Sequence, residues 1–136
     1  EVGRGRVVEE GSGVALVGIG TGVAIARDAA ALLRADGETP TVVDARFVKP
    51  LDSDLLFGLA ATHSCIVTVE ENALAGGFGS AVLELLAESG VRIVRIGLPD
   101  AFVPHGDRQL LLESVGVTAE AVAAAAVRHL RLAPAR

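Results

Sequence analysis

Methionine, tryptophan and tyrosine are missing from these 136 residues, and there is a single cysteine. One thiol, Cys65, excludes an internal disulfide. It stands at the start of an apolar run and reads as a small core residue in a reducing compartment, which points to the cytoplasm. Aromatic residues make up only 3% of the chain, as Phe47, Phe57, Phe78 and Phe102, and the net charge is −5. Nucleic-acid binding draws on a basic footprint and often on stacking platforms, and neither is present. No apolar run is read as reaching the length of a membrane span, and no signal-peptide pattern opens the chain. The chain begins Glu-Val-Gly-Arg-Gly-Arg and holds no methionine, so it is expected to be a piece of a larger polypeptide.

What is present is apolar and regular. Hydrophobic residues are 51% and charged residues 21% of the chain, the balance of a globular fold with a core. Gly3 to Glu10 is a short lead with β-branched Val7 and Val8, read as an edge strand. Gly11-Ser12-Gly13 is a turn. Val14 to Ile19 has the length of a buried strand. Thr21 to Asp36 is an Ala- and Leu-rich helix of about four turns, with Gly37 at its end as a cap. Thr41 to Asp44 is a second strand. Asp52 or Ser53 caps a helix that buries Leu55, Leu56 and Leu59. Ile66 to Val69 is a third run and Arg92 to Ile96 a fourth. Between them, Phe78, Val82, Leu85 and Leu86 share one helical face. Gly97-Leu-Pro-Asp100 breaks the pattern. Asp107 caps a short helix that ends near Gly116, and Thr118 caps a last helix carrying Val122, Ala126 and Leu130. The tail from Ala133 to Arg136 is expected to fray.

Alternation of strands and helices predicts parallel strands joined by right-handed crossovers. The runs are apolar on both faces, as when helices cover both sides of a sheet. The expected fold is a three-layer α/β/α sandwich formed by residues 1–136 as one domain.

Chemistry in such folds gathers at the carboxyl ends of the strands, so the motifs there carry the functional reading. Ile66-Val-Thr-Val-Glu70-Glu71-Asn72 runs into Gly76-Gly77-Phe78-Gly79 and then a helix. Neighbouring strand residues point to opposite faces, so Glu70 and Glu71 do not make a proton-sharing pair. One is expected to bind backbone near the turn, the other to face solvent or a partner. The amides opening the helix can take an anion, which nearby carboxylates oppose unless they point away. Gly77 is expected to need positive φ or a close backbone approach. Gly18-Ile-Gly20-Thr-Gly22, with Asp44 ending the next strand, imitates a dinucleotide fingerprint. The third required position is Val23 or Ile25, which argues for an ordinary tight turn. Arg46 and Lys49 follow that strand. Arg46 is read either as pairing with a local carboxylate or a domain neighbour, or as holding an acidic group across a subunit or domain boundary. Ser80 lacks the glycine pattern of a nucleophile elbow. His63, His105 and His129 stand at no metal-ligand spacing. His63 falls where a cation suits a helix end, and His105 is the histidine best placed to reach a site.

Three blocks also carry a family resemblance. They are Val43-Asp-Ala-Arg-Phe-Val-Lys-Pro-Leu-Asp52, Val67-Thr-Val-Glu-Glu-Asn-Ala-Leu-Ala-Gly-Gly-Phe-Gly-Ser-Ala-Val82 and Ile96-Gly-Leu-Pro-Asp-Ala-Phe-Val-Pro-His-Gly106. Together they resemble the C-terminal domain of the 1-deoxy-D-xylulose-5-phosphate synthases, of the transketolase-like group. Lys-Pro-Leu-Asp and Gly-Gly-Phe-Gly alone fit the wider group, including 2-oxo acid dehydrogenase β subunits. The resemblance implies a five-stranded, mostly parallel sheet with one antiparallel edge strand. It implies a parent enzyme that joins pyruvate to D-glyceraldehyde 3-phosphate with loss of CO2, using thiamine diphosphate and Mg2+, in isoprenoid, thiamine and pyridoxal biosynthesis. Cofactor and metal would belong to preceding domains, leaving this piece inactive alone, with no catalytic residue of its own. Its expected partners are those domains and a second copy in a homodimer. Arg46, Glu70, Glu71, Asn72, Phe78 and His105 are the candidate contacts. The alternatives are the C-terminal domain of a 2-oxo acid dehydrogenase β subunit and a free-standing nucleotide-binding module.

Overall fold

A computed structural model describes residues 1–101 and 105–132. Among the described residues ten elements follow in order: β1 (Arg6–Glu9), β2 (Gly13–Gly18), α1 (Gly22–Ala35), β3 (Thr41–Asp44), α2 (Ser53–Thr62), β4 (His63–Ala73), α3 (Phe78–Leu85), β5 (Arg92–Leu98), α4 (Arg108–Ser114) and α5 (Ala119–Leu132). The strands form one sheet in the order β1-β3-β2-β4-β5. β1 pairs antiparallel with β3, and the other pairs are parallel. This is the expected five-stranded mixed sheet with one antiparallel edge strand.

Period-two alternation divides the strand side chains between two cores. Val14, Leu16, Val42, Cys65, Val67 and Val69 pack against Ala26, Ala29, Ala30 and Leu33 of α1 and Val122 and Ala126 of α5. Ala15, Val17, Val43 and Ile66 face the other way, onto Leu56 and Leu59 of α2 and Phe78, Val82 and Leu86 near α3. Both faces are covered, which is why the strands read as continuous apolar runs. Small alanines let α1 and α5 lie close to the sheet. Cys65 is fully buried, and burial pushes its thiol up to about 11.

The capping residues behave as their chemistry dictates. Asp52 accepts from the Leu55 amide, Asp107 from Leu110 and Thr118 from Ala121. Leu56 and Leu59 are buried on α2 and Leu55 is half-buried.

Two strands run beyond their expected bounds. β4 covers His63–Ala73 rather than stopping at Val69, and β5 continues through Gly97 and Leu98. In both cases the ladder extends past the apolar run, because β4 and β5 pair again at Ala73 and Leu98. By length and composition, Arg108–Leu132 is apolar enough to cross a membrane, which the reading of apolar runs did not foresee. The fold breaks this stretch between Ser114 and Ala119 into α4 and α5, and Val122 and Ala126 of α5 are buried in the core. The expected fraying from Ala133 to Arg136 concerns residues outside the described ones. So do Phe102, Val103 and Pro104 of the loop before His105.

Candidate functional site

The carboxyl end of the sheet is organised by a bulge in β4. Val69 pairs with Ile96 and Ala73 with Leu98, so β4 advances four positions while β5 advances two. Glu70, Glu71 and Asn72 occupy the extra length. Bulges re-aim side chains at the rims of sheets, and this one separates the two glutamates. Gly97 lies opposite. A Cβ there would stand 3.0 Å from both the Asn72 carbonyl oxygen and Glu70 Cγ, so a side chain would crowd the bulge.

Glu70 is fully buried. Its two oxygens accept from the Phe78 amide at 3.0 Å and the Gly79 amide at 2.5 Å. Gly77, the N-cap of α3, has no side chain to satisfy those amides, so a carboxylate from eight or nine residues back does so. The anion that a helix N-terminus favours is therefore supplied by the chain itself. This resolves the expected conflict between the acids and the helix amides: Glu70 is the anion. Gly77 has φ −85°, so close approach, not positive φ, explains it. A Cβ there would collide with Glu70 Oε1 and the Ala73 carbonyl oxygen.

Glu71 points elsewhere and forms a two-pronged ion pair with Arg108 on α4. The two adjacent acids thus anchor different helices. The turn between β4 and α3 is held by further polar groups. Leu74 donates its amide to the Leu98 carbonyl at 2.9 Å. Its own carbonyl accepts from Ser80 Oγ at 2.5 Å and from the Arg95 guanidinium at 3.3 Å. Sequence reasoning missed Arg95 and Arg108. Arg95 sits in a strand run that otherwise reads as apolar. Arg108 follows a capping Asp and looks like a solvated helix charge. Gly97 within a β-branched run was the available signal for the bulge.

Arg46 adopts φ +61°, uncommon for a residue with a Cβ. Its amide donates to Asp44 Oδ1 at 3.0 Å, its guanidinium reaches the Arg4 carbonyl at 3.4 Å, and it lies 5.3 Å from the centre of the Phe47 ring. Among the described residues its guanidinium pairs with no carboxylate. The local-pairing expectation is therefore corrected. Asp44 bonds the Arg46 backbone, while its other oxygen faces Arg6 at 3.7 Å. Asn72 is exposed and borders a notch of about 270 Å³ with Val48, Ala75, Gly76, Gly77 and Phe78. His105 is exposed beside α4. Glu70 and Phe78 are buried inside the chain, so they shape this end from within rather than presenting themselves to a neighbour.

The dinucleotide-like turn is explained by backbone packing. A Cβ at Gly22 would fall on the Val69 carbonyl, which already accepts from the Ile19 amide at 3.1 Å. His63 corrects another expectation. It is buried, and burial lowers its pKa while the bond to the Leu59 carbonyl opposes that shift. The Leu59 carbonyl can only accept, so Nδ1 carries the proton and Nε2 accepts from the Thr41 hydroxyl at 2.8 Å. The ring is held neutral and does not act as a cation at the helix end. A groove of about 860 Å³ lies between α1 and α5, lined by Leu32, Ala123, Val127 and Leu132 among others, and holds none of the candidate residues. Among the described residues no three His, Cys, Asp or Glu side chains converge as metal ligands. The α3 amides that would suit a diphosphate are occupied by Glu70.

A five-stranded sheet of this kind, parallel but for one antiparallel edge strand, is the form of a transketolase-type C-terminal domain. Residues 3–122 match the family model described as transketolase, C-terminal domain, and the chain belongs to that family. It is 52% identical over 124 residues to the 1-deoxy-D-xylulose-5-phosphate synthase of Heliobacterium modesticaldum and 50% identical over 124 residues to that of Symbiobacterium thermophilum. Each alignment covers 90% of this chain and 19% of the relative, so the chain spans about a fifth of the length of these curated relatives. A solved split-gene transketolase, described as an inactive β4 tetramer, superposes with a TM-score of 0.92 at 41% identity. The match covers 98% of this chain and 44% of that one. A transketolase of Pichia stipitis, at 17% identity and a TM-score of 0.67, shares the fold.

Proposed function

We propose that residues 1–136 form the C-terminal assembly domain of a 1-deoxy-D-xylulose-5-phosphate synthase. The whole enzyme condenses pyruvate with D-glyceraldehyde 3-phosphate and releases CO2. Thiamine diphosphate and Mg2+ would supply the carbanion chemistry from domains other than this one. The chain's own contribution is to hold a shaped, charged surface at the carboxyl end of the sheet against those domains and against a second copy in a cytoplasmic homodimer. Arg46, Glu71, Asn72 and His105 are the outward-facing groups of that surface, and Glu70 and Phe78 fix its backbone.

One observation carries this reading. The acids at the end where such folds do chemistry are consumed by structure, Glu70 by the α3 amides and Glu71 by Arg108. Neither is left as a free general base. The roughly half-identity to synthases along 90% of the chain supplies the choice of enzyme. A chimera tests it: residues 3–122 replace the matching segment of the Heliobacterium synthase. The expected result is CO2 release from pyruvate that requires glyceraldehyde 3-phosphate, with none from the 136-residue chain alone. A soluble chimera without that activity, or turnover by the isolated chain, overturns the proposal. Calorimetric binding of NAD or ATP to the isolated chain would instead favour a nucleotide-binding module.

A further inference from the structure

The antiparallel course of β1 places its first residue, Arg6, opposite Asp44. The residues before it therefore lie at the carboxyl end of the sheet, the end of Arg46, Glu71 and the Gly76–Gly77 turn. They do not hang free. The Gly5 amide donates to Asp52 Oδ2 at 2.9 Å, across 47 positions of sequence. The Arg4 guanidinium bonds Asp52 Oδ1 at 3.3 Å and Asp54 Oδ2 at 3.1 Å. The Arg4 carbonyl accepts from Arg46 at 3.4 Å.

Asp52 does more than cap a helix. Capping α2 needs one oxygen, and Oδ1 accepts from the Leu55 amide at 3.1 Å. The second oxygen is committed to the backbone of the incoming chain. Only 9% of the Asp52 side chain is exposed, against 85% for Asp54, so Asp52 holds its bonds away from competing water. Burial alone would raise its pKa, but the Leu55 and Gly5 amides and Arg4 outweigh burial and lower it.

We propose that Asp52 is a latch that fixes the direction in which the chain arrives at β1, aiming whatever precedes it across the carboxyl end of the sheet. Its importance for docking rests on the assembly role proposed above. The latch itself is a property of these residues alone. The same carboxylate joins the α2 terminus to the lead, so the incoming chain and the loop carrying Arg46 move as one piece.

Limited trypsin digestion of the 136-residue chain tests this at the bond after Arg6. Asp52→Ser keeps a capping hydroxyl but offers no carboxylate to Gly5 and Arg4. Arg4→Gln leaves Asp52 and the α2 cap untouched. Loss of a charge-assisted bond is expected to speed that cut about tenfold in Asp52→Ser and roughly threefold in Arg4→Gln, because cleavage follows the open population. A nitroxide on Glu1→Cys gives direction. Cys65 is buried and resists labelling. With Asp52 present, the label is expected to broaden amides of residues 46–49, 51 and 52 and spare Ser12 and Thr39 at the other end. In Asp52→Ser the broadening spreads and weakens. Equal cleavage in the unaltered chain and Arg4→Gln, or diffuse broadening with Asp52 intact, overturns the latch. An inactive chimera would sink the synthase reading without touching these outcomes, and a free lead would leave chimera activity as it was.

Discussion

The two ends of the sheet solve the same problem with different chemistry. At the amino end the buried His63 is neutral and bonds Thr41 and Leu59, while the exposed Ser12 bonds Thr39 and the charged pairs of Glu9 with Arg27 and Arg34 are partly open to solvent. At the carboxyl end the partners are charged: Glu70 on two helix amides, Glu71 on Arg108, Asp52 on Arg4 and two amides. Charge-assisted bonds are stronger and more directional, and they are costly when half broken. The buried carboxylates, Glu70 and Asp52, thus gather at the carboxyl end, where they hold the starts of α3 and α2.

Removing Glu70 should show this most strongly. Glu70→Ala leaves the Phe78 and Gly79 amides buried without acceptors, and the expected loss is about 3 kcal/mol of unfolding free energy. Urea denaturation measures it. Glu70→Gln should recover only part of the loss, since one amide then faces an NH2 group. A cost under about 0.5 kcal/mol for Glu70→Ala would mean that water or a shifted α3 satisfies those amides. Gly77→Val attacks the same bond from the other side. The new Cβ would displace the Glu70 carboxylate, and the expected loss is about 2 kcal/mol. In a Glu70→Ala background the same substitution should cost less, because one collision partner is gone while the Ala73 carbonyl remains.

Much of this architecture was legible in the chain. Apolar runs with β-branched residues marked β2, β3 and the middle of β4, and Asp52, Asp107 and Thr118 marked helix starts through a local bond that needs no tertiary information. The opposite facing of Glu70 and Glu71 followed from strand geometry. What escaped was non-local. The bulge depends on how β4 and β5 pair, and no pattern within either strand reports it. Arg108 finds Glu71 across 37 positions, and Arg4 finds Asp52 across 48. His63 looked like a cation beside a helix end because its burial under Thr41 is a tertiary fact.

That histidine tests the amino end by pH. Its folded-state pKa is lowered from an ordinary value of about 6.5. The unfolded chain therefore takes up the proton first, and the contribution to stability is present above about 6.5 and lost as pH falls below it. Unfolding free energy should decline between about pH 7 and about pH 5, and His63→Gln should flatten that decline whatever it does to stability at neutral pH. Asp52 acts lower on the scale. Its pKa is also lowered, so its contribution holds above the ordinary carboxylate range and disappears below it. An unchanged slope in His63→Gln would show that His63 is not the group that takes up the proton.

The smallest effect belongs to the pair that looks strongest on the page. Glu71 and Arg108 meet in two hydrogen bonds, yet the Arg108 side chain is 62% exposed. Solvent and salt screen such a pair, and exposed ion pairs contribute about 0–1 kcal/mol. Arg108→Gln should therefore lower unfolding free energy by under about 1 kcal/mol at low salt. The difference from the unaltered chain should vanish near about 1 M salt, where screening acts over only a few ångströms. Glu70→Gln, made on a dry carboxylate, should keep its cost at both salt concentrations. If Arg108→Gln proved as costly as Glu70→Gln and as indifferent to salt, burial would not be what separates two adjacent glutamates. The contrast between wet and dry charge at the carboxyl end would then have to be replaced by one based on how firmly α4 and α3 are held.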